Sequence, residues 1–437
     1  YLDDQPCGTN CGNVFIFFGS INGTKRADAD ADVILRGQQN NDYFGSSIAS
    51  AGDFNGDGKD DVIVGAYGDD NNGSVSGSAF IFFGGITGTK NADTDADVIL
   101  NGQSGDRFGS SVASAGDFNG DGKDDVIVGA PDDDNNSANG SGSAFIFFGG
   151  ITGTKNADAG ADVILNGQSG GDQFGRDVAS AGDFNGDGKN DVIIGARNDD
   201  NNALNTSGSA FIFFGGITGT KRADADADVI LNGQSGDDIF GSSVASAGDF
   251  NGDGKGDVIV GAPLDDNNSA SASGSAFIFF GGITGTKRAD ADADVILNGQ
   301  SAGDRFGGSV SSAGDFNGDG KDDVIVGARF DDNNSATDSG SAFIFFGGIT
   351  GTKRADADAD VILNGQSAGD EFGGSFDDGS SFHSTATATG DFNGDGASDV
   401  IVGATFDDNN SLSGSGSAFI FLRSSVFPSV TFSDSTS

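Results

Sequence analysis

Residues Asp117–Ala130 read Asp-Phe-Asn-Gly-Asp-Gly-Lys-Asp-Asp-Val-Ile-Val-Gly-Ala, an acidic, glycine-punctuated loop that runs directly into an apolar strand. The hexapeptide Asp-Phe-Asn-Gly-Asp-Gly also begins at Asp53, Asp183, Asp249, Asp315 and Asp391, so its six copies lie 64, 66, 66, 66 and 76 residues apart. Self-similarity at a near-constant period marks a repeat architecture. Within a unit the order is fixed. A Phe-Gly pair such as Phe108-Gly109 precedes Ser-Val-Ala-Ser-Ala and the acidic loop; Asp125-Val-Ile-Val follows, then a polar loop, Ala144-Phe-Ile-Phe-Phe and, beyond Gly-Thr-Lys, Asp162-Val-Ile-Leu165. These are four strands per repeat. Val-Ile-Val and Phe-Ile-Phe-Phe are apolar at successive positions, which buries both of their faces.

Four-stranded antiparallel units covered on both sides fit the blades of a β-propeller, in which each sheet packs between two neighbours. A β-sandwich would alternate apolar and polar residues, because one face of each sheet is wet. A linear stack of units is the surviving rival. Composition agrees with an all-β chain: the 437 residues include 76 Gly, 38 Phe and only four Pro, with no Met or Trp. The formal net charge is -44, from 66 acidic and 22 basic side chains. That excess opposes a nucleic-acid partner, because phosphates reward basic grooves. Glu371 is the single Glu, and Asp belongs in turns and metal loops more than in helices. No run reaches the ~18 apolar residues of a membrane helix.

The loop chemistry points to a hard cation. In Asp53-Phe-Asn55-Gly-Asp57-Gly58-Lys59-Asp60-Asp61, side-chain oxygens fall at positions one, three, five and nine, position seven offers its carbonyl, and Gly58 permits the positive φ of a sharp turn. All-oxygen ligation in a flexible loop suits Ca²⁺ better than Mg²⁺. The candidate metal residues are therefore Asp53, Asn55, Asp57, Lys59 and Asp61; Asp117, Asn119, Asp121, Lys123 and Asp125; Asp183, Asn185, Asp187, Lys189 and Asp191. The remaining loops supply Asp249, Asn251, Asp253, Lys255 and Asp257; Asp315, Asn317, Asp319, Lys321 and Asp323; Asp391, Asn393, Asp395, Ala397 and Asp399. An EF-hand would need Glu at position twelve, where Val64 stands, so the loop closes a β-hairpin. Position eight varies among Asp60, Asp124, Asn190, Gly256, Asp322 and Ser398, which marks it as a non-ligand. About six Ca²⁺ would bring the formal balance from -44 to -32. Extracellular calcium modules bind at ~10⁻⁴ to 10⁻³ M, in keeping with secretion.

The pattern resembles the FG-GAP repeats of integrin α-subunit propellers and their bacterial relatives. The matching residues are the Phe-Gly pairs at Phe44, Phe108, Phe174, Phe240, Phe306 and Phe372 and the Gly-Ala pairs at Gly65, Gly129, Gly195, Gly261, Gly327 and Gly403; only Pro131 and Pro263 complete Gly-Ala-Pro. The resemblance implies a propeller, usually seven-bladed, with calcium between the first and second strands. It divides the chain into an N-terminal segment with a half repeat (1–43), six calcium-binding repeats (44–422) and a Ser/Thr/Phe tail (423–437) that offers a further strand.

Other features are weaker. Asp-Asp-Asn-Asn follows each second strand, from Asp69, Asp133, Asp199, Asp265, Asp331 and Asp407, and reads as an Asx-type turn with a ligand site as the alternative. Lys221-Arg-Ala-Asp-Ala-Asp-Ala-Asp228 reads as a solvated, self-neutralised loop. Cys7 and Cys11 suit a short disulfide loop in an oxidising compartment, with free thiols or a metal clip as alternatives. Catalytic residues are not expected, since His383 has no repeated partner and no strand-to-helix nucleophile turn occurs. The insertion Phe376–Thr389 in the last repeat is a contact surface or a drifted terminal unit. Counting motifs gives strands for neither a complete six-bladed nor a complete seven-bladed ring. A leftover edge invites self-association into a head-to-tail fibre. Function is thus expected to be that of a secreted or surface-displayed adhesive or structural module, with self-association or an extracellular protein or glycan partner. The alternatives are a lectin and the non-catalytic propeller of a larger secreted enzyme.

Overall fold

The computed structural model describes residues 9–19, 23–134, 138–200, 204–266, 270–333, 335–374, 376–377, 382–383, 387–408 and 415–423. Its elements are strands and one-turn helices, and among the described residues no helix is long and apolar enough to cross a membrane. β1 (Asn13–Ile16) and β2 (Val33–Arg36) form the opening half repeat. The first whole repeat contributes β3 (Ser47–Gly52), β4 (Asp61–Ala66), β5 (Ser78–Phe82), β6 (Gly88–Asn91) and β7 (Val98–Asn101). β3, β4, β5 and β7 pair antiparallel in that order, as the sequence predicts. The chain folds as an all-β propeller of such units.

The Gly-Thr-Lys segment departs from its expected role as a loop. β6 leaves its own sheet and pairs parallel to β2 of the preceding unit, from Val33↔Gly88 to Arg36↔Asn91. The same exchange sets Gly153–Asn156 on β7, Gly219–Arg222 on Val163–Asn166, Gly285–Arg288 on Val229–Asn232 and Gly351–Arg354 on Val295–Asn298. Each sheet so joined is latched by a strand from its successor, and the outer edge is covered. The acidic run that follows is a single helical turn, as at Ala223–Asp226, and its carboxylates serve the backbone: Asp226 Oδ2 accepts from Arg222 N at 2.8 Å and Asp228 Oδ2 from Phe214 N at 2.8 Å.

Among the described residues, and apart from one two-stranded pair in the last repeat, seven sheets follow in series, of three, five, five, five, five, four and three strands. First strands of consecutive repeats lie side by side. A Cβ on Gly19 would lie 3.7 Å from the carbonyl oxygen of Phe392, so the half repeat sits against the acidic loop of the last repeat. The inserted segment of that repeat contains a short antiparallel pair, Phe376–Asp377 with Phe382–His383.

Alternation survives within each strand, but both faces are apolar because each meets a different neighbour. Val126, Val128, Phe145 and Phe147 pack against Ile63, Ile81, Val98 and Leu100 of the preceding repeat. Ile127, Ala144 and Ile146 point the other way, against Val192, Ile194, Phe211 and Phe213 of the next. Phe108 lies at the centre of its interface, edge-on to Phe145 with centroids 5.5 Å apart. The two glycines of the repeat signature meet across such an interface. A Cβ on Gly129 would run into the carbonyl oxygen of Gly175, which belongs to the next Phe-Gly pair and has φ +81. Gly129→Ala is therefore expected to cost on the order of 2–4 kcal/mol by overpacking against backbone. Equilibrium urea unfolding checks this; a loss under 0.5 kcal/mol would show that the interface is loose.

Candidate metal centre

All six acidic loops lie between the first and second strands of their repeats. The turn glycine takes the expected conformation, with φ +85 at Gly58, +90 at Gly122 and +91 at Gly188. In the second loop Asp117 Oδ1 accepts from Gly120 N and Asp121 N, both at 2.8 Å, and Oδ2 accepts from Gly122 N at 3.0 Å. Asp121 Oδ1 accepts from Lys123 N at 3.0 Å. Asp125, fully buried at the head of the second strand, takes Asn119 N at 3.0 Å on Oδ2 and Gly149 N at 2.8 Å on Oδ1, tying the loop to the turn after the third strand. Loops one, three, four and five repeat the Asp125 pattern at Asp61, Asp191, Asp257 and Asp323. In loop six Asp399 Oδ1 accepts instead from Arg423 N at 2.7 Å.

These carboxylates feel one another. Burial pushes Asp125 up to about 7 against the pull of the Gly149 and Asn119 amides, and the charges of Asp121 and Asp117 add to the rise. Asp323 behaves alike, raised to about 7 by burial with Asp319 and Asp315 contributing. Asn119 Nδ2 donates to Asp121 Oδ2 at 3.0 Å. In the third loop Asn185 Oδ1 is buried with no hydrogen-bond partner among the described residues. An orphaned amide oxygen beside three mutually repelling carboxylates is the donor set of a hard cation, and reversing the Asn amide would present that oxygen to the acids. The residues therefore fit Ca²⁺. Among the described residues no group of three or more His, Cys, Asp or Glu side chains is drawn together closely enough to hold a metal.

Position eight, set aside in the sequence as a non-ligand, links neighbouring repeats. Asp124 Oδ2 accepts from Asp53 N of the preceding loop at 2.8 Å, Asn190 Oδ1 from Asp117 N at 3.1 Å and Asp322 Oδ2 from Asp249 N at 2.8 Å. The backbone crosses here as well: Gly256 N donates to Asp183 O at 3.0 Å, as Asn190 N and Asp322 N donate to Asp117 O and Asp249 O at 3.3 Å. The link between repeats is therefore kept at Gly256, which has no side chain to offer. Gly150 N also donates to Phe54 O at 2.7 Å, so consecutive loops are hydrogen-bonded in series.

At the other end of the strands the Asp-Asp-Asn-Asn run forms a turn in the first repeat, where all four of its residues are described. Asp69 Oδ1 accepts from Asn71 N at 2.8 Å, Asn72 Nδ2 donates to Gly102 O at 2.8 Å and Asn333 Nδ2 donates to Asp356 Oδ1 at 2.8 Å. A second acid row, missed in the sequence, stands beside them two residues before each Phe-Gly: Asp42, Asp106, Asp172, Asp238, Asp304 and Asp370. Its signal was the repeat position alone. Burial first, then the charge of Asp69, Asp133 or Asp331, raises Asp42, Asp106 and Asp304 to about 7. Cys11 is buried, while Cys7 lies outside the described residues.

Comparison with known proteins gives the family. The FG-GAP repeat matches residues 44–81, 108–147, 174–213, 240–279, 306–345 and 384–421, and the chain belongs to the FG-GAP repeat family. It is 31% identical over 230 residues to integrin alpha-5 of Xenopus laevis, covering 51% of this chain and 20% of that protein. It is 35% identical over 167 residues to integrin alpha-PS5 of Drosophila melanogaster, covering 37% of this chain and 16% of that one. Phosphatidylinositol-glycan-specific phospholipase D of Bos taurus is 30% identical over 155 residues, 35% of this chain and 18% of the enzyme. The chain thus spans a fifth or less of the length of these relatives.

The second acid row sets a pH dependence. A carboxyl raised in the folded state stabilises the fold below its ordinary value near 4, and that contribution is lost as pH rises through about 7. Asp106→Asn keeps an acceptor for Gln103 N, now 3.0 Å from Asp106 Oδ2, and carries no charge. It is expected to raise stability by on the order of 2 kcal/mol at pH 8 and by little at pH 5. Unfolding midpoints at the two pH values check this, and equal shifts would contradict it.

Proposed function

We propose that this chain is an extracellular, calcium-stabilised β-propeller serving as an adhesive or structural module. The observation that carries the reading is the serial bonding of the six loops. A cation in one loop would brace two strands of its own sheet and, through position eight and the Gly-Gly turn, the sheet beside it. Membership of the FG-GAP family and likeness to integrin alpha chains support calcium, an extracellular setting and a protein partner. We read the chain as non-catalytic. Its likeness to the bovine phospholipase D covers 18% of that enzyme, and near-identical repeats spread their surface chemistry round a ring, whereas an active site needs unlike residues converging. The Asn71 and Asn72 amides, turned onto Asp69 and Gly102, leave little for a glycan and set the lectin alternative lower.

We read the ring as seven-bladed, the half repeat holding the place between the last and first whole repeats, with the expected division at 44 and 423 and a Cys7–Cys11 bridge. Two features support head-to-tail self-association. Ser417–Phe421, third strand of the last repeat, is only partly covered, whereas its counterpart Ser143–Phe147 is buried throughout. Phe18 and Leu422, whose counterparts pack between sheets, are 49% and 50% exposed. Such edges favour strand addition between chains.

Excess chelator is expected to lower the melting temperature by ten degrees or more, since ions acting at about six sites stabilise additively by mass action; an unchanged melt would remove calcium from the account. Light scattering and electron microscopy of chains lacking residues 1–40 or 424–437 should show assembly reduced by at least one truncation. Particles of unaltered size would end the fibre reading.

A further inference from the structure

The seventh loop position is Lys in five loops and Ala397 in the sixth. Its side chain lies between repeats: Lys123 Nζ faces Gly150 in the Gly-Gly turn of its own repeat, while its Cε lies against the loop before it. A Cβ on Gly56, fourth residue of the first loop, would lie 3.1 Å from Cε of Lys123 in the second. The same holds for Gly120 with Lys189 at 3.1 Å, Gly186 with Lys255 at 3.2 Å and Gly252 with Lys321 at 3.1 Å. At the last junction, where Ala397 can supply no such group, Gly318 of the fifth loop meets the guanidinium of Arg423 instead. Arg423 stands where the other repeats have the first glycine of Gly-Gly, and it donates from Nη1 to Asp315 O at 3.1 Å and from Nη2 to Asn317 O at 2.6 Å. Those carbonyls belong to the residues expected to give the first two ligands of the fifth loop. One place over each of five loops is thus held by a cation, even where the residue that supplies it has moved.

Lys59 provides the contrast. The half repeat before it contains no acidic loop, and its side chain is 60% exposed with Nζ 3.8 Å from Asp57 of its own loop. Lys123, Lys189, Lys255 and Lys321 are half-buried. Charge gives the placement a purpose. Three ligand carboxylates and one divalent ion would leave a single negative charge, which the field of a cation from the next repeat offsets without a direct ion pair.

We propose that Lys123, Lys189, Lys255, Lys321 and Arg423 are positioning residues for the metal loop of the preceding repeat, so that each of the first five sites is completed by its neighbour. The ion in this arrangement rests on the calcium reading above; the strut is a contact of the protein alone. Calcium titration of the full chain by calorimetry, paired with melts in excess chelator, separates the two. Lys123→Ala and Arg423→Ala are each expected to weaken one site ~tenfold, as loss of a charge-assisted contact does, and to lower the chelated melting temperature. Lys59→Ala keeps its backbone carbonyl, the one ligand expected of that residue, and removes a side chain with no preceding acidic loop to reach, so its effect in both measurements is expected to be smaller than that of Lys123→Ala. Ala397→Lys should restore binding to the Arg423→Gly variant yet add nothing to the parent, because one place takes one cation. Equal effects of Lys59→Ala and Lys123→Ala in both measurements would overturn the proposal, since the lysine would then serve its own loop. If the parent chain binds no calcium, the metal reading fails, and the chelated melts alone decide the strut.

Discussion

Every whole sheet in this protein is apolar on both faces, and a sheet of that kind cannot end in water. Val126 and Ile127 are adjacent in sequence, yet one packs toward the preceding repeat and the other toward the next. No repeat can bury its own core, so stability resides in the interfaces between units. Two devices bring those interfaces close. Glycine meets glycine across the interfaces between whole repeats, and in five sheets a strand of the successor latches the outer edge. Both are backbone contacts, which is why they recur identically while polar loop residues drift.

The acidic loops inherit this serial logic. Each bonds within itself through Asp side chains that accept backbone amides, and each bonds to the next through position eight and the Gly-Gly turn. Three carboxylates held in one short loop repel, and burial of the ninth-position Asp sharpens the conflict. On the proposed reading a divalent cation would relieve it, and a lysine or arginine from the neighbouring repeat would offset what the ion leaves. The formal charge of -44 is therefore organised, with acids at one end of the strands gathered in six loops and a second buried row at the other end.

Much of this was legible before any coordinates. The six-fold hexapeptide, the apolar runs without alternation and the Phe-Gly and Gly-Ala pairs specified the blade, its antiparallel order and the loop at its first turn. Candidate ligand positions could be named because the chain compares six loops with one another. The same comparison set position eight apart as a non-ligand but did not show its bond to the neighbouring repeat, which Asp124, Asn190 and Asp322 make through side-chain oxygens while the backbone of Gly256 keeps a bond of its own. Ala397 and Arg423 look unrelated in sequence, and only their meeting over the fifth loop relates them.

The sequence by itself determined the repeat, the strand order and the donor set of each loop, because these depend on periodicity and on side-chain chemistry local to one unit. The tertiary structure alone decided what passes between units: the parallel latch of Gly-Thr-Lys, the contact of four lysines with the loop before them, the burial of Asp42, Asp106 and Asp304, and the meeting of Gly19 with Phe392. These contacts join residues tens to hundreds of positions apart, and their partners are fixed by the angle at which one sheet packs on the next. No local pattern encodes that angle; it follows from all the interfaces of the series at once.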